Sequence, residues 1–485
     1  MPEETEARGP GPANGLSKLL RQWPVYLAGR ILPAVISFGG IALYTRLLDP
    51  ASFGVSALLL SSALFVGGTG YSWVRVAALR AAGSYDSFEP DFAATLAGCF
   101  AATSVVVWLV LALAVRLWNP SLPLGTLLIT LAAATTFGWF DLNTSVLQSR
   151  LHVVSFSVQY FARAVLGLCA TVLLINAGTK AFALIGGFTA SNFVSCFGLG
   201  MWRPVLRGRF DPALARKLFV FGWPASAGVL MSFAPSAQRY ILGFSRGSAA
   251  VGIFAVASDF STQTIGLLIA TASLAGQPLA FQAKDRSGDA VLLGQLRENA
   301  ELIFAIALPS ATAVALLAAP IASIFMGKHF QAGAGTIVAL GAVATLLVGL
   351  RGCYFDQAFA IAYNMRPTIV INAIQAAVCV GLTLFFVGSS GAVGAAFACV
   401  VANLIALVVS AIWGRRCTVV PIPLGGWMKT SFSTLAMAAA ILVVPERGTL
   451  GGFAAAVCAG GAAYALALAV VRRDQIYARI VRRPA

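Results

Sequence analysis

The sequence predicts an all-α polytopic membrane protein of about fourteen spanning helices, arranged as two pseudo-symmetric six-helix lobes with two further helices at the C-terminal end. Three observations carry this. Of the 485 residues, 59% are hydrophobic and 10% charged, whereas a soluble chain carries roughly 25% charged residues. Apolar segments of about 20 residues, the length that crosses a bilayer, recur along the chain. One plan also appears twice. An apolar segment ends in Arg46-Leu47-Leu48-Asp49-Pro50 and a second opens with Phe53-Gly54; farther on, a segment ends in Gln238-Arg239 and another opens around Gly252. Gly54 and Gly252 occupy equivalent places, so the second half begins near Leu218.

Residues 1–23 form a polar tail. The first span, 24–45, is long and lacks a small-residue cleavage site, which makes it a retained span and not a signal peptide. It carries Arg30 with Tyr26, Pro33 and Ser37 on one face. The next spans are 53–74, 92–116, 123–147, 153–176 and 181–202, completing a lobe at 24–202. The segment 203–217 is basic, holds Pro204 and Pro212, and joins the lobes. The second lobe, 218–413, comprises 218–242, 251–275, 302–325, 333–361, 367–388 and 391–413. Asn192 in span six and Asn403 in span twelve follow similar runs of small residues, which extends the repeat to the end of each lobe. Even numbers of spans leave the repeats parallel, related by an axis along the membrane normal. Two extra spans, 430–445 and 450–471, precede a basic tail at 472–485.

Charge sets the orientation, because Lys and Arg concentrate in short cytoplasmic loops. With the N-terminus inside, 23 of the 33 basic residues fall in inside segments and 6 outside. The other four, Arg30, Arg163, Arg239 and Arg351, lie within spans. Both termini and 203–217 are therefore expected in the cytoplasm. The formal charge of +16 is spread over these short loops, which argues against a nucleic-acid partner. The eight cysteines show no C-x-x-C pair and read as small apolar residues.

Span five holds the most informative pattern. His152, Ser155, Gln159 and Arg163 are spaced to share one helix face. At 1.5 Å per residue, Arg163 lies roughly 16 Å along the span, near mid-membrane. A buried arginine there costs at least ~2.5 kcal/mol and pairs with a partner or faces a water-filled cavity. Two readings stand: an ion pair with Asp141 of span four, or a cavity-lining cation. Arg30 either snorkels to the headgroups or offers its fork to phosphate. Arg351 lies deeper, in span ten, and Arg239, near the outer end of span seven, either snorkels or serves a ligand; with Arg30, Arg163, Gln159 and His152 they are the candidate substrate-binding residues. Among the acids, Asp141 and Asp259 head polar faces on spans four and eight, and Asp356 sits toward the cytoplasmic end of span ten, where one reading makes it interfacial. These three could bind or relay a cation, or neutralise the arginines.

Little here suggests an enzyme. His152 and His329 fall on opposite sides of the membrane, so no histidine cluster can hold a metal, and no cofactor is implied. There is no G-x-x-x-x-G-K-[ST] phosphate loop. No extramembrane segment is long enough to fold as a catalytic domain.

The Arg46–Pro50 turn with Phe53-Gly54, Arg75 after span two, Gly222-Trp223-Pro224, Arg239-Tyr240-Ile241-Leu242-Gly243 and Val251-Gly252-Ile253-Phe254 resemble the multidrug/oligosaccharidyl-lipid/polysaccharide exporter superfamily. Within it, spans one to twelve look most like the polysaccharide-biosynthesis flippases. The resemblance implies a pair of six-helix lobes around a central cavity in a bacterial cytoplasmic membrane. It implies cargo on a polyprenyl pyrophosphate, an H+ or Na+ gradient as a drive, and polysaccharide polymerase or export machinery as partners. The family often has Asp before the basic residue ending span seven, where this chain has Gln238. Four intramembrane arginines against three aspartates favour an anionic cargo over the cationic cargo of drug antiporters. A peptidoglycan lipid-precursor flippase is the other alternative.

Overall fold

A computed structural model of the chain describes residues 32–81, 90–118, 121–149, 152–199, 205–231, 234–286, 289–362, 364, 366–417 and 420–473. The described residues are helical almost throughout, with short turns between helices. In lipid this follows from the backbone, since each N–H and C=O must find a partner within the protein. Ten of the described helices are long and apolar enough to cross a membrane, which makes this a multi-pass membrane protein.

The first half contributes α1 (Leu32–Leu47), α2 (Pro50–Ala81), α3 (Pro90–Trp118), α4 (Leu124–Ser149), α5 (Val153–Asn176) and α6 (Ala183–Leu199). The second half opens with α7 (Pro212–Met231), α8 (Ala234–Arg246) and α9 (Ser248–Arg286). Next come α10 (Asp289–Leu316), α11 (Ala318–Phe325) and α12 (Ala334–Leu350). A π-helical turn, Arg351–Phe355, leads into the short α13 (Gln357–Ile361). The helix α14 runs from Arg366 to Cys417, and α15 (Leu424–Val443) and α16 (Leu450–Val471) close the chain.

The start of α2 shows how the turns are written in sequence. Pro50 occupies the first helical position, where its missing N–H costs nothing. Asp49 caps the helix by accepting from the Ser52 backbone N–H at 3.0 Å and the Ser52 hydroxyl at 2.7 Å. These bonds hold the Asp49 carboxyl below the usual range. Midway along α14, the longest helix among the described residues, Gly391 adopts φ 54° and ψ −130°, a conformation suited to glycine. Helix α14 therefore turns there, and its two arms coincide with the expected spans eleven and twelve. The short thirteenth span proves longer than its apolar core suggested, extending back to Leu424.

Two compact units emerge from the packing. One takes the described chain up to Gly40, Ser62–Gly178 and Ala183–Ala227; the other takes Ile41–Ser61, Thr179–Phe182 and everything from Gly228. The first unit has its core where Tyr71, Val74 and Ala78 of α2 meet Phe92, Leu96 and Phe100 of α3, with Leu142 and Val146 of α4 and Leu214 and Leu218 of α7. The described end of the connection before α7 docks on α3. The Arg209 backbone N–H donates to Asp91 at 2.7 Å, and that of Asp211 donates to Thr95 at 3.0 Å. In the second unit α15 and α16 attach through α10. Trp427 stacks on Phe304 at 4.7 Å, the Tyr464 hydroxyl donates to the Ala305 carbonyl at 2.6 Å, and Arg472 reaches Glu301 at 3.4 Å.

Candidate functional site

In the first unit, α5 spans the residues expected for span five and carries the predicted stripe. His152 lies exposed just before the helix. One turn before Arg163, Gln159 is fully buried, and neither its amide nitrogen nor its oxygen meets a hydrogen-bond partner among the described residues. An amide left so costs about 1–3 kcal/mol. Arg163 stands over two aromatic faces, 4.7 Å from the Phe140 centroid on α4 and 5.2 Å from Phe188 on α6. The negative ring faces attract its charge, and no hydrogen bond from its N–H fork is seen among the described residues.

Asp141, one expected partner of Arg163, makes its direct ion pair elsewhere, though its charge still acts on Arg163. Asp141 pairs with Arg75 at 3.1 Å, both side chains about one-third exposed (35% and 34%). Arg75 was expected in a loop after span two; α2 instead runs on to Ala81 and carries Arg75 within the helix. Of these two, Arg75 meets a carboxylate directly and Arg163 makes no direct ion pair among the described residues.

The second unit treats its cations otherwise. Arg239 donates to Ser61 Oγ at 2.9 Å and pairs tightly with Asp259. Arg351 follows α12 at the π-helical turn, and all three guanidinium nitrogens are engaged by this chain. Nε donates to Asp356 at 3.1 Å, Nη1 to Gln375 Oε1 at 2.5 Å, and Nη2 to Asn372 Oδ1. Ser410 donates to the other Asp356 oxygen at 2.5 Å, and Gln375 donates to Asn403 at 2.6 Å. Asp356, expected to be interfacial as one reading, is largely buried, its side chain 15% exposed. Asn372, Gln375, Asn403 and Ser410 were not singled out as partners of Arg351. Their polar face on α14 is the signal that was available.

Gln238, where the resemblance leads one to expect Asp, is buried and donates to Thr383 Oγ1 at 3.0 Å and to the Ala395 carbonyl at 2.8 Å. Its amide ties α8 to both arms of α14. A cavity of about 190 Å³ lies in this unit, lined mainly by apolar atoms of Phe254, Ile337, Ala344, Val348 and Ala396, with Asn403 at its edge. Arg30, a predicted site residue, lies outside the described residues. Among the described residues no cluster of three or more His, Cys, Asp or Glu could hold a metal ion.

Residues 43–335, well over half of the chain, match the family model described as polysaccharide biosynthesis protein. No curated protein sequence matches the chain. Among solved structures, the fold is similar to a lipid II flippase MurJ in an inward closed conformation, with TM-score 0.75 and 13% identity, covering 93% of this chain and 99% of that one. It is also similar to an inward-facing multidrug resistance MATE family transporter of the MOP superfamily, with TM-score 0.61, 15% identity and 81% and 97% coverage. A MOP superfamily transporter from Pyrococcus furiosus aligns with TM-score 0.55, 15% identity and 82% and 94% coverage. The chain belongs to the polysaccharide biosynthesis protein family and has the MOP-type transporter fold.

Proposed function

We propose that this member of the polysaccharide-biosynthesis family flips an oligosaccharide linked to polyprenyl pyrophosphate across the bacterial cytoplasmic membrane, feeding lipopolysaccharide or exopolysaccharide assembly. The two halves open alternately to either side around a cationic cavity, with both termini and 203–217 in the cytoplasm. One observation supports the reading: Arg163 is a mid-span guanidinium held by ring faces, with no carboxylate in direct contact among the described residues. A guanidinium fork matches two phosphate oxygens. His152 and Gln159 extend the same face toward the cytoplasm as a track for the cargo, and Arg30 is assigned to the cytoplasmic mouth.

A drug or cation antiporter would need a carboxylate free to meet its cargo. Within the spans, Asp141, Asp259 and Asp356 each face an arginine. That arrangement supports charge balance for the three acids and disfavours the antiporter. A peptidoglycan-precursor flippase would use the same pyrophosphate chemistry, and the family match to polysaccharide biosynthesis is the reason to place it second. Whether H+ or Na+ drives the step is testable by dissipating each gradient in turn. The direct test reconstitutes purified protein in proteoliposomes and measures flipping of a polyprenyl-pyrophosphate oligosaccharide against lipid II and a cationic drug. Preference for the first supports the reading; transport of the drug alone defeats it.

A further inference from the structure

We propose that Cys379 and Cys399, which face each other across the two arms of α14, form an oxidisable dithiol site. A small apolar hydroperoxide closes it to a disulfide, with Cys399 as the attacking sulfur. Spacing along the sequence pairs none of the eight cysteines; the turn at Gly391 pairs these two. Folding α14 back on itself builds a ladder between its arms. One rung joins Thr383 to Ala395 through the Gln238 amide, at 3.0 and 2.8 Å. Two turns farther along each arm, a second rung joins Gln375 to Asn403 at 2.6 Å. Midway between the rungs, one turn from each on both arms, stand Cys379 and Cys399, both free cysteines. Their thiols are hydrogen-bonded to each other.

The two sulfurs are not equivalent. A guanidinium only donates, so Arg351 Nη1 fixes Gln375 Oε1 as its acceptor, at 2.5 Å. That leaves Gln375 Nε2 to donate to Asn403 Oδ1 at 2.6 Å. Asn403 then has only Nδ2 to offer, and Nδ2 donates to Cys399 Sγ at 3.3 Å. A chain of donors that begins at a cation thus ends on one sulfur. Hydrogen bonds donated to a developing negative charge stabilise it, so Cys399 is the better nucleophile. Exposure points the same way. Cys379 is buried, whereas Cys399 is half-buried and lines the cavity of about 190 Å³. Oxidation-sensitive thiols are accessible, set among positive polarity and placed beside a resolving thiol. The cavity also selects the oxidant: Phe254, Ile337, Val348 and Ala396 give it an apolar wall, which admits an uncharged organic peroxide and penalises a charged one.

In the first step the Cys399 sulfur attacks one oxygen of the hydroperoxide. The O–O bond breaks, and the Cys399 proton leaves on the departing oxygen as the alcohol. Cys399 is now a sulfenic acid. The Cys379 sulfur attacks it, the S–O bond breaks, and hydroxide departs with the Cys379 proton as water. Two thiols are oxidised and one hydroperoxide is reduced. The product ties the arms of α14 covalently between the Gln238 clamp and the Arg351 network. The site is independent of what the protein carries.

The test uses the full chain with the other six cysteines replaced by alanine and tert-butyl hydroperoxide as the probe. Oxidation should lower the intact mass by the two thiol hydrogens and abolish maleimide labelling after denaturation, and reductant should restore both. If the six-fold variant melts well below the parent, peptide mapping of the parent reads the same 379–399 disulfide. Thiols that stay reduced while the exposed Cys169 of the parent is oxidised would overturn the site, as would sulfinic acid in place of the disulfide. Two single variants test the order of attack. Cys379→Ser strands Cys399, which should accumulate a sulfenic acid trapped by dimedone. Cys399→Ser should leave Cys379 reacting at least about tenfold more slowly. Equal rates would overturn Cys399 as the attacking sulfur. In the Cys379→Ser background, Asn403→Leu removes the last donor and should bring Cys399 down toward the rate of Cys379. An unchanged Cys399 rate would overturn the donor chain, and Asn403→Ala serves in its place if the leucine variant does not fold.

Discussion

Arg163 and Arg351 are the same residue type in comparable membrane-embedded positions, and their surroundings give them opposite characters. Arg351 is saturated: Asp356, Gln375 and Asn372 take its three nitrogens, and Ser410 and Asn403 complete the shell. Arg163 has two phenylalanine faces and, one turn away, an amide with no partner among the described residues. A saturated cation locks helices together. A cation held by rings keeps its fork available, so the difference separates an architectural arginine from one suited to cargo. Charge alone does not distinguish them.

The largest expected effect is on the architectural side. Arg351→Ala leaves Asp356 buried without its counter-charge, and breaking such a pair costs about 3–5 kcal/mol. Thermal unfolding of the purified variant should show a large drop in Tm. The Arg351→Ala/Asp356→Ala double variant should recover part of the loss. A Tm near that of the parent for Arg351→Ala would erase the contrast with Arg163.

Gln159→Leu should act in the opposite direction. It replaces an unpaired buried amide with an apolar side chain of similar size, so stability should rise by about 1 kcal/mol, while flipping falls because the polar track is broken. A variant that is less stable than the parent would show that the amide has partners, and that the first-unit site is built like the second. Arg163→Ala removes two cation–ring contacts, and its Tm should fall by no more than about 1–2 kcal/mol of stability implies.

The smallest effect belongs to a surface cap. Asp49→Ala should cost about 1 kcal/mol through the lost Ser52 bonds. Because the folded state holds the Asp49 carboxyl below its ordinary range, the stabilisation is full above the unfolded pKa. It fades as pH falls through the lower folded value. The Tm gap between parent and Asp49→Ala should therefore narrow in acid, and a gap independent of pH would mean that the cap is not ionic.

Much of the architecture was legible because lipid imposes one rule on every span. The limits of α5 coincide with the expected 153–176, and the Gly391 turn divides α14 where the sequence shows Gly388-Ser389-Ser390-Gly391. Partnerships were less legible, because they join residues on different helices. Arg75 reads as a loop residue when the apolar window closes at 74, yet α2 carries it to Asp141. Asp356 reads as interfacial by depth, but the π-helical turn at Arg351–Phe355 brings its carboxylate to Arg351. Phe140 and Phe188 are two of 32 phenylalanines, and spacing does not reveal which rings cradle a cation. The stripe on α5 was visible because it lies on one helix.

The central claim is that Arg163 meets the cargo's pyrophosphate while contributing little to the fold. Its most direct test measures flipping of a polyprenyl-pyrophosphate oligosaccharide in proteoliposomes alongside Tm for Arg163→Ala and Arg163→Lys. Both variants should fold and melt close to the parent, with flipping lost in the alanine variant and strongly reduced in the lysine variant, which keeps the charge without the fork. Normal flipping by a stable Arg163→Ala protein would contradict the claim, as would a loss of flipping that merely follows a fall in Tm as large as that of Arg351→Ala.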